Sequence, residues 1–204
     1  PSKYAIAILP LLKASTPFAI AAILAAIQTR ASIILLEQFT TTQAVGYYTA
    51  ASRFVEAGRL IPHAFFDALF PLLAGLAKTP DKLKQLFRRV ILGLIVFGVL
   101  FASGITLISK NLIIWTYGEN FAPAIPILMI LSWGLLPMLL KGGRTLYWYA
   151  QGQENYVNIV TAIIIAIQIS VAFWLIPEYG AIGAGWVLII AETSAVILLF
   201  ARKI

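Results

Sequence analysis

Residues 87–108 read FRRVILGLIVFGVLFASGITLI, with no ionisable side chain after Arg88 and Arg89. At 1.5 Å per residue this stretch makes a helix of about 33 Å, enough to cross the roughly 30 Å hydrocarbon layer of a bilayer. The rest of the chain has the same character. Of its 204 residues 61% are hydrophobic and 11% charged, and the mean hydropathy is +0.92; soluble domains carry about half apolar and roughly 25% charged residues. The composition specifies an all-α integral membrane protein and leaves no length for a separate soluble catalytic domain. Absence of cysteine excludes disulfides, thiolate metal sites and cysteine catalysis. The chain starts at Pro1 with no pattern of a cleavable leader, and is expected to be a piece of a longer protein.

Six segments are expected to cross, at about 14–39, 44–77, 87–108, 121–150, 156–176 and 181–201, together forming one membrane lobe over residues 1–204. The second is too long for one straight crossing, so Pro62 and Pro71 are expected to kink it. Pro126, Pro137 and the Gly142-Gly143 pair mark the fourth as bent. In 179–185 (YGAIGAG), the glycines allow a turn followed by close helix packing.

The cations set the orientation. If the six segments alternate, Lys3, Lys13, Lys78, Lys82, Lys84, Arg88, Arg89, Lys141, Arg144, Arg202 and Lys203 fall on one side and only Lys110 on the other. Positive loops stay in the cytoplasm, so both ends are expected there. Placement of this kind explains the net charge of +7 without nucleic acid, which is not expected as a partner.

Ionisable groups inside the spans are the candidates for function. On the second segment Arg53, Glu56, Arg59, His63 and Asp67 follow at intervals of three or four residues and share one helix face. Five such groups cannot face lipid, where each charge costs at least a few kcal/mol. Either they line a hydrated cavity, or Arg53 with Glu56, Glu56 with Arg59 and His63 with Asp67 neutralise one another along the helix. On the first segment Arg30 and Glu37 lie on nearly one face while Gln28 points elsewhere; Arg30 either faces a cavity or pairs with another helix. Lys141 and Arg144 share a face of the fourth segment, followed by Tyr147, Trp148 and Tyr149 as a possible interfacial aromatic belt. Gln168 and Glu192 stand midway along the last two segments. A mid-membrane Glu is a proton or cation site by default, or a protonated Glu bonded to Gln. The candidate substrate-binding residues are thus Arg30, Arg53, Arg59, Lys141 and Arg144, and the candidate ion-coupling residues Glu56, His63, Asp67, Gln168 and Glu192. A lone His without Cys offers no metal site, no catalytic constellation is present, and no cofactor is expected.

Residues 44–56 (AVGYYTAASRFVE) with 68–71 (ALFP), 117–122 (YGENFA) leading into 126–131 (PILMIL), and 176–185 (IPEYGAIGAG) together resemble the carboxyl half of Wzx-type polysaccharide-transport flippases, within the multidrug/oligosaccharidyl-lipid/polysaccharide superfamily. The resemblance implies one six-helix lobe of a two-lobe transporter, whose partners are the other, amino-terminal lobe, membrane lipid and a lipid-linked oligosaccharide. It implies an inner-membrane protein that flips undecaprenyl-diphosphate-linked oligosaccharide to the outer leaflet for surface polysaccharide such as O-antigen. Transport is by alternating access, with basic cavity residues, Arg53 foremost, meeting the diphosphate. A cation-coupled multidrug exporter of the same superfamily is the alternative; a glycan polymerase or ligase would carry a large outer loop, and none is present.

The cation asymmetry makes a direct prediction in this cysteine-free background. Single cysteines at Thr41 and Asp81 of the full-length protein should react with an impermeant thiol reagent from opposite faces of the membrane, Asp81 from the cytoplasm. Labelling of both from one side would refute the alternating arrangement.

Overall fold

The computed structural model describes residues 3–76 and 78–202. Lys203 and the expected end of the second segment at Ala77 lie outside the described residues, as do the side chains of Lys3 and Lys13. Five α-helices follow one another: α1 (Lys3–Phe39), α2 (Thr42–Gly75), α3 (Pro80–Tyr117), α4 (Ala124–Ala150) and α5 (Glu154–Ala201), with a 3-10 turn at Glu119–Phe121. Their ends have local causes. The Thr41 hydroxyl accepts from the Ala44 amide at 3.3 Å to cap α2. Pro80 opens α3 with Asp81 in its first turn, both favourable at a helix N-terminus, and Gly118, at φ 85°, ends it.

The last helix holds the main topological event. Straight, its 48 residues would extend about 72 Å, more than twice the hydrocarbon thickness. Gly180, at φ 54° and ψ −131°, breaks the helical path, in a conformation that glycine adopts without steric cost. The chain then doubles back. The Tyr156 hydroxyl, near the beginning, donates to the Leu198 carbonyl, near the end, at 2.8 Å. Just past the bend, a β-carbon on Gly183 would collide with the carbonyl oxygen of Leu175. Two antiparallel legs, 154–179 and 181–201, therefore replace one rod, and the turn expected in the glycine-rich stretch falls at Gly180.

Among the described residues, four stretches are long and apolar enough to cross a membrane: Ser15–Phe39, Asp81–Tyr117, Ala124–Ala150 and the folded Glu154–Ala201. α2 is the exception among the five helices, because its ionisable stripe dilutes an otherwise apolar sequence. The six expected segments thus become four apolar stretches, one of them folded in two, plus a polar helix. α2 runs on through Pro62 and Pro71, and α4 through Pro137 and the glycine pair, each as one continuous helix.

α4 is the central post. Leu128, Leu131, Leu135 and Leu139, three or four residues apart, are all buried. α3 and α5 pack along it, α2 lies against a third side, and α1 leans mainly on α5. Lipid tails are as apolar as leucine, so helices in a membrane associate by close fit, and small residues permit the approach. Gly142 and Gly143 do this for α2 and α3: β-carbons there would come within 2.8 Å of Phe66 and 2.9 Å of Leu94. α1 and α2, by contrast, touch little and diverge over α4 and α5.

A candidate anion cavity between α1 and α2

That divergence leaves a cavity of about 400 Å³. Each wall contributes side chains at helical spacing: Gln28 and Ser32 from α1; Glu56, Arg59 and His63 from α2; Lys141 and Thr145 from α4; Gln168 and Glu192 from the two legs of α5. Deep in the cavity the Lys141 ammonium lies 2.8 Å from each Glu192 carboxylate oxygen. Gln28 joins both partners: its amide nitrogen donates to Glu192 Oε1 at 3.2 Å and its oxygen accepts from Lys141 at 3.3 Å. Gln168 donates to the Ser32 hydroxyl at 2.9 Å and to the Gln28 backbone carbonyl at 3.1 Å. Its own buried oxygen has no partner. Glu192 is only 5% exposed, and a carboxylate so far from water requires a cation or a proton. Lys141 supplies the cation while itself remaining open to the cavity.

Along the α2 stripe the residues divide. Arg59 is half-buried and lines the cavity with Glu56 and His63. Arg53, itself outside the lining, lies 3.7 Å from Glu56 in a largely exposed pair, an arrangement that contributes little stability. The other two pairings weighed along this helix, Glu56 with Arg59 and His63 with Asp67, are not formed within 4 Å, and Asp67 is exposed outside the cavity. Among the described residues, then, Arg59 has no carboxylate partner. Arg30 is exposed and does not line the cavity. Gln28, read from the sequence as pointing elsewhere, faces the centre of it instead. Gln28 and Ser32 are four residues apart, as are Lys141 and Thr145, and that spacing was the available signal.

Arg144 does not reach the cavity. One turn beyond Lys141, it is 1% exposed and donates to the carbonyls of Leu199 and Arg202, both at 3.0 Å. Its guanidinium carbon sits 4.7 Å from the ring centres of Trp148 and Phe200 and 5.0 Å from that of Tyr147. Helix C-termini leave carbonyls unpaired and carry partial negative charge, so a buried guanidinium closes the end of α5 on both counts. Tyr147 and Trp148 are correspondingly buried, turned inward around a cation where a membrane-surface belt had been expected. Among the described residues no group of three or more His, Asp or Glu could hold a metal ion.

The family model described as "Polysaccharide biosynthesis protein" matches residues 4–126, more than half of the chain. The chain belongs to that family. This bears out the family resemblance read from residues 44–185 and supports a role in polysaccharide biosynthesis. The capsular polysaccharide biosynthesis protein CapF of Staphylococcus aureus is 25% identical over 186 residues, which make up 89% of this chain and 46% of CapF. The chain therefore spans about half the length of the curated relative it matches. No solved structure matches it.

The two basic residues of α4 should separate experimentally. Arg144→Ala in the full-length protein is expected to lower stability on the order of 3 kcal/mol, since it removes two charge-assisted hydrogen bonds and the aromatic contacts. Arg59→Ala, which breaks no contact of this kind, should stay within about 0.5 kcal/mol of the parent. Thermal unfolding in detergent, followed by tryptophan fluorescence, reads both; an unchanged midpoint for Arg144→Ala would remove its structural role.

Proposed function

We propose that this chain forms one six-helix lobe of a two-lobe flippase in the cell's inner membrane. In this reading α2 crosses together with the apolar helices, its charged face shielded by the cavity and by the other lobe, and both ends of the chain face the cytoplasm. The transported molecule is an oligosaccharide linked through diphosphate to undecaprenol, moved to the outer leaflet by alternating access. A role in polysaccharide biosynthesis supports the reading, and one observation carries it: Arg59, without a carboxylate partner, projects into a cavity that also holds Lys141.

The physical case rests on cost. A guanidinium within a membrane bundle is unfavourable unless water or an anion compensates it. Its planar donor fork pairs bidentately with phosphate oxygens. A volume of about 400 Å³ suits the diphosphate and not an entire glycan, in keeping with a cavity shared between lobes and an isoprenoid tail left in lipid. Arg53 and Arg30, exposed near but outside the lining, are assigned to the approach of the anion.

A second reading, a cation-coupled exporter of the same superfamily, draws support from the two acids, Glu56 and Glu192, which balance Arg59 and Lys141 in formal charge along the lining. Catalysis, as in a glycan polymerase or ligase, has little to build on, since only residues 118–123 connect α3 to α4.

Expressed as the full-length protein in a strain lacking its own flippase, Arg59→Ala should reduce surface polysaccharide at least roughly tenfold, the loss of a strong charge-assisted contact. Arg59→Lys should retain part of the activity and Lys110→Ala all of it, at matched membrane levels. Parental export by Arg59→Ala would overturn the anion-cavity reading, and drug efflux without glycan export would favour the exporter.

A further inference from the structure

Lys141 is the one cation that the buried Glu192 carboxylate meets among the described residues, so whatever draws the ammonium away leaves that carboxylate uncompensated. The ammonium spans both carboxylate oxygens at 2.8 Å and, with about a quarter of its side chain exposed, it is the partner that the cavity can reach; Glu192 lies behind it with a side chain 6% exposed. We infer that Lys141 is a tethered counter-cation: an anionic diphosphate entering the cavity draws its ammonium off Glu192, and Glu192 takes up one proton in its place. This rests on the diphosphate reading above and adds a mechanism by which substrate and proton are exchanged at one site.

The charge balance requires a replacement. Paired, Lys141 and Glu192 sum to zero. Once the ammonium neutralises a phosphate oxygen, an ionised Glu192 is left nearly buried with only the uncharged Gln28 amide bonded to it, and the nearby lining residues Gln168 and Ser32 carry no charge either. A buried carboxylate that has lost its cation needs another positive charge at the same depth, here a proton. The step breaks no covalent bond in the protein; a buffer acid in the solvent gives up a proton and is left as its conjugate base, and that proton joins a carboxylate oxygen to give the acid. Departure of Lys141 also frees Gln28 Oε1, which it now holds at 3.3 Å, to accept from that acid. The other charged or titratable groups lining the cavity are Tyr48, Glu56, Arg59 and His63, all on α2. Arg59 helps to draw the anion in, the exposed Glu56 already lies beside Arg53, and His63 is the competing proton acceptor.

Farnesyl diphosphate is a soluble probe with the required head. Its binding to the purified full-length protein, measured by titration calorimetry at pH 7 in two buffers of different ionisation enthalpy, reports proton uptake per molecule bound. The parental protein should take up about one proton more than Glu192→Gln, the stoichiometry of a single carboxyl group; protons belonging to the probe cancel in this comparison. Glu192→Gln, in which nothing holds Lys141 back, should bind at least roughly tenfold more tightly, and Lys141→Gln at least roughly tenfold more weakly. If an unpaired variant fails to fold, the doubly neutral Lys141→Gln/Glu192→Gln protein should bind without the extra proton. Equal uptake in the parent and Glu192→Gln, or weaker binding by Glu192→Gln, overturns the inference alone. Loss of uptake in His63→Gln with retention in Glu192→Gln assigns the proton to His63 and overturns it also. No binding of the probe to the parent refutes the diphosphate reading and this exchange together.

Discussion

A carboxylate held at 5% exposure in a bundle of apolar helices sets terms for everything around it. Glu192 needs a positive partner at its own depth, and Lys141 on α4 supplies it, so α4 and the second leg of α5 must stay in register. Gln28 then ties α1 to the same centre by donating its side-chain N–H to Glu192, and Gln168 does so by donating to the Gln28 backbone carbonyl. Removing one member of such a buried pair costs several kcal/mol, whereas replacing both by apolar groups is often harmless. Stability alone therefore gives little reason to keep the pair. Its position on a cavity wall, with the cationic member outermost, is what the proposed anion exchange rests on.

α4 separates two tasks by a single helical turn. Lys141 faces the cavity; Arg144 faces away, into four aromatic rings and the carbonyls that end α5. The chemistry of each side chain suits its place. A guanidinium, planar and weakly hydrated, tolerates burial among rings and can donate in several directions, while a flexible ammonium exchanges partners easily. Between them Gly142 and Gly143 bring α2 and α3 close to the post, which keeps the charged face of α2 near the cavity mouth. Function and packing thus draw on one four-residue segment, 141–144.

Periodicity made the helices legible. The interval of three or four residues along α2 placed Glu56, Arg59 and His63 on one face, and the structure puts all three on the cavity lining. Hydropathy marked the apolar stretches, though the third, expected at 87–108, runs longer as Asp81–Tyr117, and the glycine-rich stretch after Pro177 marked the reversal of α5. Other features could not be read from the chain because they depend on partners distant in sequence. Nothing local distinguishes Lys141 from Arg144, since which one faces the cavity is decided by α5, some fifty residues on. Gln28 was assigned by its angle relative to Arg30, yet the relevant reference is the divergence of α1 from α2, a tertiary fact. Pro62, Pro71 and Pro137 lie inside helices that continue past them.

The central claim is spatial, namely that an anionic head settles between Arg59 and the Lys141–Glu192 pair. Electron cryomicroscopy of the full-length protein with a bound prenyl diphosphate tests it most directly. The account predicts phosphate density in the cleft between α1 and α2, within hydrogen-bonding distance of Arg59 and Lys141, with the Lys141 ammonium displaced from Glu192. Phosphate density elsewhere, with Lys141 still on Glu192 and the cleft empty, would contradict it.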